Sequence, residues 1–434
     1  MRRVILGLMV GWAVLFGALT AQAADQEVLA ERLPNGLTML IRENPATPVV
    51  AVSLFVRVGS RWEGDNEAGV SNLLQQVLIK GTLSRSALEI ADAAESIGGH
   101  IGASADADFS EIAGVALARH SARLLELIAD IVRHPSLSPT ELESERRVAL
   151  SGIRNRQDQP SPLAIDTLLA HLFPGHPYGR PTAGRAATVQ RLDRAALMAH
   201  YQRYYRAGRM ILSVSGDVSA RDVAGEATRL FAEVPAGDGG ADPVSPSSSP
   251  LGDRTMVPRP SAQTQVLMGF PAPPISHPDY AAVKVLSTAL GGGMAGRIFT
   301  EIRDKQGLAY AGGASYPSRV GAGFFLAQVG TAPVNAARAE QALVREIGRV
   351  RGERLDAVAL RRAKSYLLGQ FVLDRRTNVR LAWYGAFFEA TGVGHDFADR
   401  YTRAVEAVSA EDVQRAAGTY LSRPTIVILG PSAP

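Results

Sequence analysis

The chain carries one pattern of elements twice, and this duplication limits the folds open to it. Each copy opens with an apolar strand, residues 49–58 in the first and 263–270 in the second. A polar loop and a helix follow, at 68–79 and at 279–290. Strands rich in Gly, Ala and Ser come next, within 98–118 and 310–329. Each copy then has a helix with one apolar face. Leu124, Leu125, Ile128, Ile131 and Val132 mark the first, and Ala339, Leu343, Ile347 and Val350 mark the second. A further long helix is predicted over 139–156, with Ser138 as N-cap and Pro139 at its first position, and its counterpart over 355–372. Between the copies, residues 235–262 include the run GDGGADPVSPSSSPLGD, which has no periodicity and reads as a linker. The expected domains are therefore 24–234 and 263–434. Strands and helices in runs, without a regular βαβ alternation, indicate an α+β fold. Each half is expected to be a largely antiparallel sheet with helices on one face, and the duplication implies two halves facing each other across a cleft.

Composition narrows the chemistry. No cysteine occurs, so disulfides, thiolate metal sites and cysteine nucleophiles are excluded. The net charge is +4, and basic and acidic residues are interspersed. No basic tract points to nucleic acid. Residues 1–23 read as a secretory signal peptide: Arg2 and Arg3, an apolar run over 4–19, then Ala21-Gln22-Ala23 as cleavage site. A soluble periplasmic protein is the expectation, since no later stretch is apolar for about 18 residues.

Residues 69–82 read GVSNLLQQVLIKGT. This stretch resembles the zinc-binding helix of the pitrilysin/insulinase (M16) metallopeptidases, which carries His-x-x-Glu-His followed by Lys-Gly-Thr. Asn72, Gln75 and Gln76 stand at the two histidines and the glutamate. Residues four apart share a helical face. However, neutral amide oxygens are poor partners for zinc, and Gln75 cannot take the proton of an attacking water. The resemblance also implies a third ligand, a Glu in a Glu-Arg-x-Val-x-x-x-Glu pattern. The segment from Glu145 to Gly152 matches its start and puts Gly152 at the ligand position. With four chemical positions changed together, no metal is expected in this chain. None of the eight histidines is paired at i, i+4. His171 and His176 lie five apart and read as surface or hydrogen-bonded residues. No G-x-S-x-G occurs either.

The second half keeps another M16 motif. Residues 290–316, LGGGMAGRIFTEIRDKQGLAYAGGASY, resemble the family's C-terminal-half segment. Its glycines also satisfy G-x-G-x-x-G, but they follow a helix, so a tight helix–helix turn is the better reading. In the family an Arg and a Tyr from this segment reach across to a zinc site and hydrogen-bond the scissile carbonyl or its oxyanion. Arg303 and Tyr310 hold those places. Residues 98–105 resemble the family's cleft-edge strand, which pairs with an extended peptide. Gly102 and Ala103 stand at its substrate-facing turn. The likeness runs from Leu33 to about Ile426 and includes the HPYG loop (176–179), Tyr204-Tyr205 and Gly216-Asp217. It implies a non-zinc subunit that forms a heterodimer with a zinc-bearing M16 chain, with zinc in that partner and peptides as substrate. The alternative is a catalytically inactive structural or peptide-binding protein of the same fold.

Overall fold

A computed structural model describes residues 28–243 and 252–431. The segment 1–23, expected to be a signal peptide, and residues 244–251 of the expected linker lie outside the described residues.

Two sheets form. The first contains β1 (Leu29–Arg32), β2 (Thr38–Glu43), β3 (Val49–Val56), β4 (His100–Ala105), β5 (Ser110–Leu117) and β6 (Met210–Gly216), in the order β1-β2-β6-β3-β5-β4. The second contains β7 (Arg254–Pro258), β8 (Thr264–Ala272), β9 (Ala311–Ser315), β10 (Gly323–Thr331) and β11 (Thr425–Gly430), in the order β7-β11-β8-β10-β9. With β1 set aside, the two orders are the same. Each sheet has one parallel pair, β2 with β6 and β7 with β11, and is otherwise antiparallel. The α+β class and the duplication are thus as the sequence indicates. One boundary differs. Residues 254–258, expected in the linker, form β7, because their backbone groups pair with β11 along the sheet edge. The second half therefore begins before residue 263.

The first half has helices α1 (Val70–Leu78), α2 (Ala87–Ser96), α3 (Ser121–Arg133), α4 (Pro139–Asp158), α5 (Pro160–Leu172), α6 (Ala186–Val189), α7 (Arg194–Tyr204) and α8 (Ala220–Phe231). The second has α9 (Tyr280–Gly291), α10 (Ala336–Gly352), α11 (Ala357–Asp374), α12 (Asn378–Ala390), α13 (Phe397–Ala407) and α14 (Ala410–Tyr420). The apolar face foreseen on α3 is buried throughout. Pro139 opens α4, although Ser138 makes no side-chain cap bond. α11 starts two residues later than its pattern suggests, because the Asp356 carboxylate caps it by accepting from Val358 N and Ala359 N at 2.8 Å each.

Both faces of each sheet are covered. On β3, Val50, Val52, Leu54 and Val56 point into the core of the first half. Phe55 points the other way and packs in the core of the second half with Leu40, Phe109 and Ile211. The helix over that face is α12, which belongs to the second half by sequence but packs on β3 and β6. Trp383 and Phe387 on α12 meet the stacked pair Phe55–Phe109, whose rings are 4.3 Å apart. The exchange is mutual, since α5 of the first half packs on β8 and β11. There Leu168 sits among Leu267, Leu326, Val427 and Leu429. Small residues allow the approach. A Cβ on Gly269 would lie 2.9 Å from Leu168 Cδ2, and one on Gly385 would lie 2.8 Å from Ser213 Oγ.

Candidate functional site

Helix α1 carries the altered zinc motif. It starts at Gly69, whose φ of 99° is the left-handed conformation that glycine adopts without steric cost. A Cβ there would also lie 2.8 Å from Ala183 O. The N-terminal N–H groups of a helix need outside acceptors. Here buried Glu63 supplies them, accepting from Gly69 N at 2.7 Å and Ser71 N at 2.9 Å. Burial raises the Glu63 pKa, and the bonds from Gly69 and Ser71 oppose the rise. Ser71 Oγ lies 3.2 Å from His200 Nε2, and burial pushes His200 down to about 4, so its ring is neutral at pH 7.

Within α1, Asn72 and Gln76 are one turn apart and half-buried. Gln75 is fully buried. Its Nε2 donates to Tyr205 Oη at 2.6 Å, while its Oε1 has no hydrogen-bond partner. Lys80, a turn beyond Gln76, ties α1 to α4 through a 3.0 Å ion pair with Glu145. Gly152 lies two turns further along α4, on the same side as Glu145 by helical spacing. It is exposed, and a Cβ there would meet nothing within 4 Å. The structure thus brings the helices of all four positions into contact, but the donors are three carboxamides and a glycine. Among the described residues no group of three or more His, Cys, Asp or Glu could hold a metal ion. The residues present do not fit zinc. His171 is half-buried and lies 3.0 Å from Asp253. His176 is buried, and its Nδ1 accepts from Tyr178 N at 3.0 Å.

Strand β4 borders the same helix. It packs on α1 and is the outer strand of its sheet, paired with β5 alone. Gly102 lies opposite Ala113 and Ala103 opposite Ile112. The space over Gly102 is open, so a chain laid along this edge would meet no side chain from it.

Arg303 and Tyr310 lie at the corresponding edge of the second sheet. The glycine-rich segment forms the expected turn: α9 stops at Gly291, a short 3-10 turn spans Gly293–Ala295, and a π-helical turn spans Ile298–Asp304. Gly291 has to be glycine, because a Cβ would lie 1.7 Å from Ala314 N. Arg303 is exposed on the π-helical turn, its guanidinium 4.3 Å from the Phe299 ring centre. The chain reverses at Gly307, with φ of 63°. Tyr310 follows immediately before β9, held by its N–H to Gly330 O at 2.9 Å, with its side chain 63% exposed. Among the described residues neither the Arg303 guanidinium nor the Tyr310 hydroxyl makes a side-chain hydrogen bond. These two residues flank the reversal at Gly307, and the Asn72–Gly152 set lies on the other half.

A buried polar junction between the halves was not foreseen. Asp108 accepts from Tyr178 Oη at 2.6 Å and Val320 N at 3.1 Å, and it pairs with Arg61 at 3.2 Å. Arg319 pairs with Asp106 at 2.7 Å, and Gly321 N donates to Tyr178 Oη at 3.1 Å. Burial raises the Asp108 pKa against these partners, and it also raises that of Tyr178. A cavity of about 550 Å³ adjoins this junction, lined in part by Ser104, Asp106, Tyr178 and Arg319. The HPYG motif, which contains Tyr178, was the available signal.

Residues 38–186 match the model described as Insulinase (Peptidase family M16), and residues 191–367 match the Peptidase M16 inactive domain. An uncharacterized zinc protease of Mycobacterium leprae is 31% identical over 354 residues, covering 81% of this chain and 80% of the relative. Another from Rickettsia bellii is 28% identical over 411 residues, covering 92% and 97%. The chain belongs to the M16 peptidase family. Solved structures share the fold. A peptidase M16 inactive domain from Pseudomonas fluorescens superposes with a TM-score of 0.88 at 23% identity, covering 94% of this chain and 99% of that one. A protease from Helicobacter pylori gives 0.87 at 22%, covering 94% and 100%.

Proposed function

We propose that this chain is the non-zinc subunit of a periplasmic M16-type peptidase, paired with a separate zinc-bearing M16 chain that cleaves peptides. One observation carries the reading. Asn72, Gln75, Gln76 and Gly152 have all lost metal or base chemistry, while Arg303 and Tyr310 stay exposed with their polar ends unengaged. Zinc in the partner would supply an activated water. This chain supplies donors. Arg303 offers a permanent positive charge and several N–H groups, and Tyr310 a neutral O–H. Placed across the interface, they would hydrogen-bond the scissile carbonyl and the negative charge that develops on its oxygen. Preorganised donors contribute most there, with about 3–4 kcal/mol of barrier resting on one such group. Gly102 and Ala103 on the β4 edge would let an extended peptide backbone approach and pair. The periplasmic placement rests on residues 1–23. Among the described residues no helix is long and apolar enough to cross a membrane.

The test compares this chain, a zinc-bearing M16 chain of the same organism, and their mixture on quenched fluorescent peptides. Activity of the mixture should far exceed that of either chain alone. Arg303→Ala should lower kcat of the mixture by roughly 10²–10³-fold without breaking the complex, and Tyr310→Phe should lower it less. Full activity in both variants would refute the assigned roles. Stoichiometric zinc in the isolated chain would overturn the reading of the first half. A stable complex that binds peptides without cleaving them would instead favour an inactive peptide-binding protein.

A further inference from the structure

A second cavity, of about 560 Å³, opens between α9, α11, α12 and α13 and shares no lining residue with the edges described above. Its walls are aromatic: Tyr280, Phe371, Tyr384, Phe388, Phe397 and Tyr401. Neighbouring rings are in contact, with centres 5.1 Å apart for Phe371–Tyr401 and for Phe388–Phe397, and 5.7 Å for Tyr280–Tyr401. Lys284 enters this aromatic lining from α9. Its Nζ donates to Tyr316 O at 2.7 Å and lies 5.2 Å from the ring centres of both Tyr280 and Tyr316. An ammonium has three donors, and one is used by that carbonyl. Among the described residues no carboxylate pairs with it. Asp374, which also lines the cavity, is held by Arg380 and Tyr384 Oη at 2.6 Å each. Asp279, next to α9, is held by Tyr420 at 2.8 Å and Arg415 at 2.9 Å. Desolvation alone pushes the Lys284 amine down to about 8, so it still carries its proton at pH 7.

A desolvated cation ordinarily has an anionic partner. Here the described residues supply none, and Lys284 lines a cavity of the size that holds small ligands. Arg376 and the exposed Gln370 line the same space, so its mouth adds positive charge and no bulky plug. We propose that this cavity binds a carboxylate carried on an apolar body, with the acid on Lys284 and the body among the rings. A free aromatic or branched acid and the carboxyl end of a peptide with an apolar last residue share this chemistry. The site does not depend on the peptidase reading, because it lies wholly within the second half and requires no partner.

The experiment uses the mature chain alone. Calorimetric titration compares 3-phenylpropionate with its neutral amide, and a short peptide ending in phenylalanine with the same peptide amidated. The acids should bind at least about tenfold more tightly than the amides, the scale of one charge-assisted hydrogen bond. Lys284→Met should erase that ratio while leaving the weak binding of the amides. Gln370→Trp, which fills the mouth and leaves Lys284 in place, should weaken acid and amide together. Tighter binding of the free acid assigns the site to a small molecule, and tighter binding of the peptide assigns it to a chain end. Equal affinity for acid and amide, an undiminished ratio in Lys284→Met, or wild-type affinity in Gln370→Trp would each overturn the proposal. If Lys284→Met does not fold, protection of Lys284 from acetic anhydride by 3-phenylpropionate in the unmodified chain decides instead, and absence of protection counts against the site.

Discussion

Expressing residues 28–234 without the second half removes α12 from the first sheet. The face left bare includes Phe55, Leu40, Ile211 and Phe109, which are 0%, 1%, 2% and 6% exposed in the whole chain. Burying side chains of this kind contributes roughly 1.5–3 kcal/mol each, so the four together represent about 6–12 kcal/mol. That matches the whole net stability of an ordinary domain, about 5–15 kcal/mol. The bare half should therefore fail to form a well-packed monomer. It should bind anilinonaphthalene sulfonate strongly, lose its near-ultraviolet circular dichroism and aggregate in sedimentation velocity. Adding residues 252–431 as a separate chain should restore a soluble 1:1 complex. A soluble monomeric fragment with a sharp thermal transition and no dye binding would refute the argument. It would mean that α12 decorates the first sheet without being needed by it.

Further tests address single contacts. Leu168→Ala should cost about 3–5 kcal/mol, and Gly269→Ala about 1–3 kcal/mol through overpacking against Leu168. A methyl at 269 enters the space that Leu168 vacates, so the double variant should cost less than the sum by at least about 1 kcal/mol; urea titration showing additivity within about 0.5 kcal/mol would show that the two sites do not touch. Glu63→Gln tests the cap on α1. The folded-state pKa of Glu63 is raised by burial, so wild-type stability from this group is full below the usual Glu value and is lost as pH rises through the folded value. Gln keeps one acceptor and does not titrate. Its melting temperature relative to wild type should thus improve between pH 4.5 and pH 8, and a constant gap across that range would show that Glu63 does not titrate as described.

Much of the fold is visible in the sequence because the duplication repeats every signal. α3 and α10 each bury the apolar stripe that their sequences show, and with β1 set aside the sheet orders match. The exchanged helices were not legible. α5 and α12 carry apolar residues on several sides, so their pattern does not say which sheet they meet. A trace of the exchange was present in β3, where VVAVSLFV is apolar at almost every position. That is the mark of a strand covered on both faces. β7 was hidden because RTMVP sits inside a Gly/Pro/Ser-rich run and pairs only at the sheet edge. Candidate site positions can be picked out in the sequence because motif spacing survives substitution. The burial of Gln75 against Tyr205 was not, since the two are 130 residues apart. The Asp108 junction depends on the same kind of distant pairing.

The exchange of helices also sets an order in time. The last helix of the first half ends at Phe231, and α12 begins at Asn378. At a synthesis rate of about 5–20 residues per second, roughly 7–30 s separate the two. During that interval the first sheet is complete in strands but bare on one face, far longer than the roughly 0.1–100 μs in which chains collapse. A nascent chain of this design needs a holding factor, or slow pairing of its strands, until its own distant helix arrives.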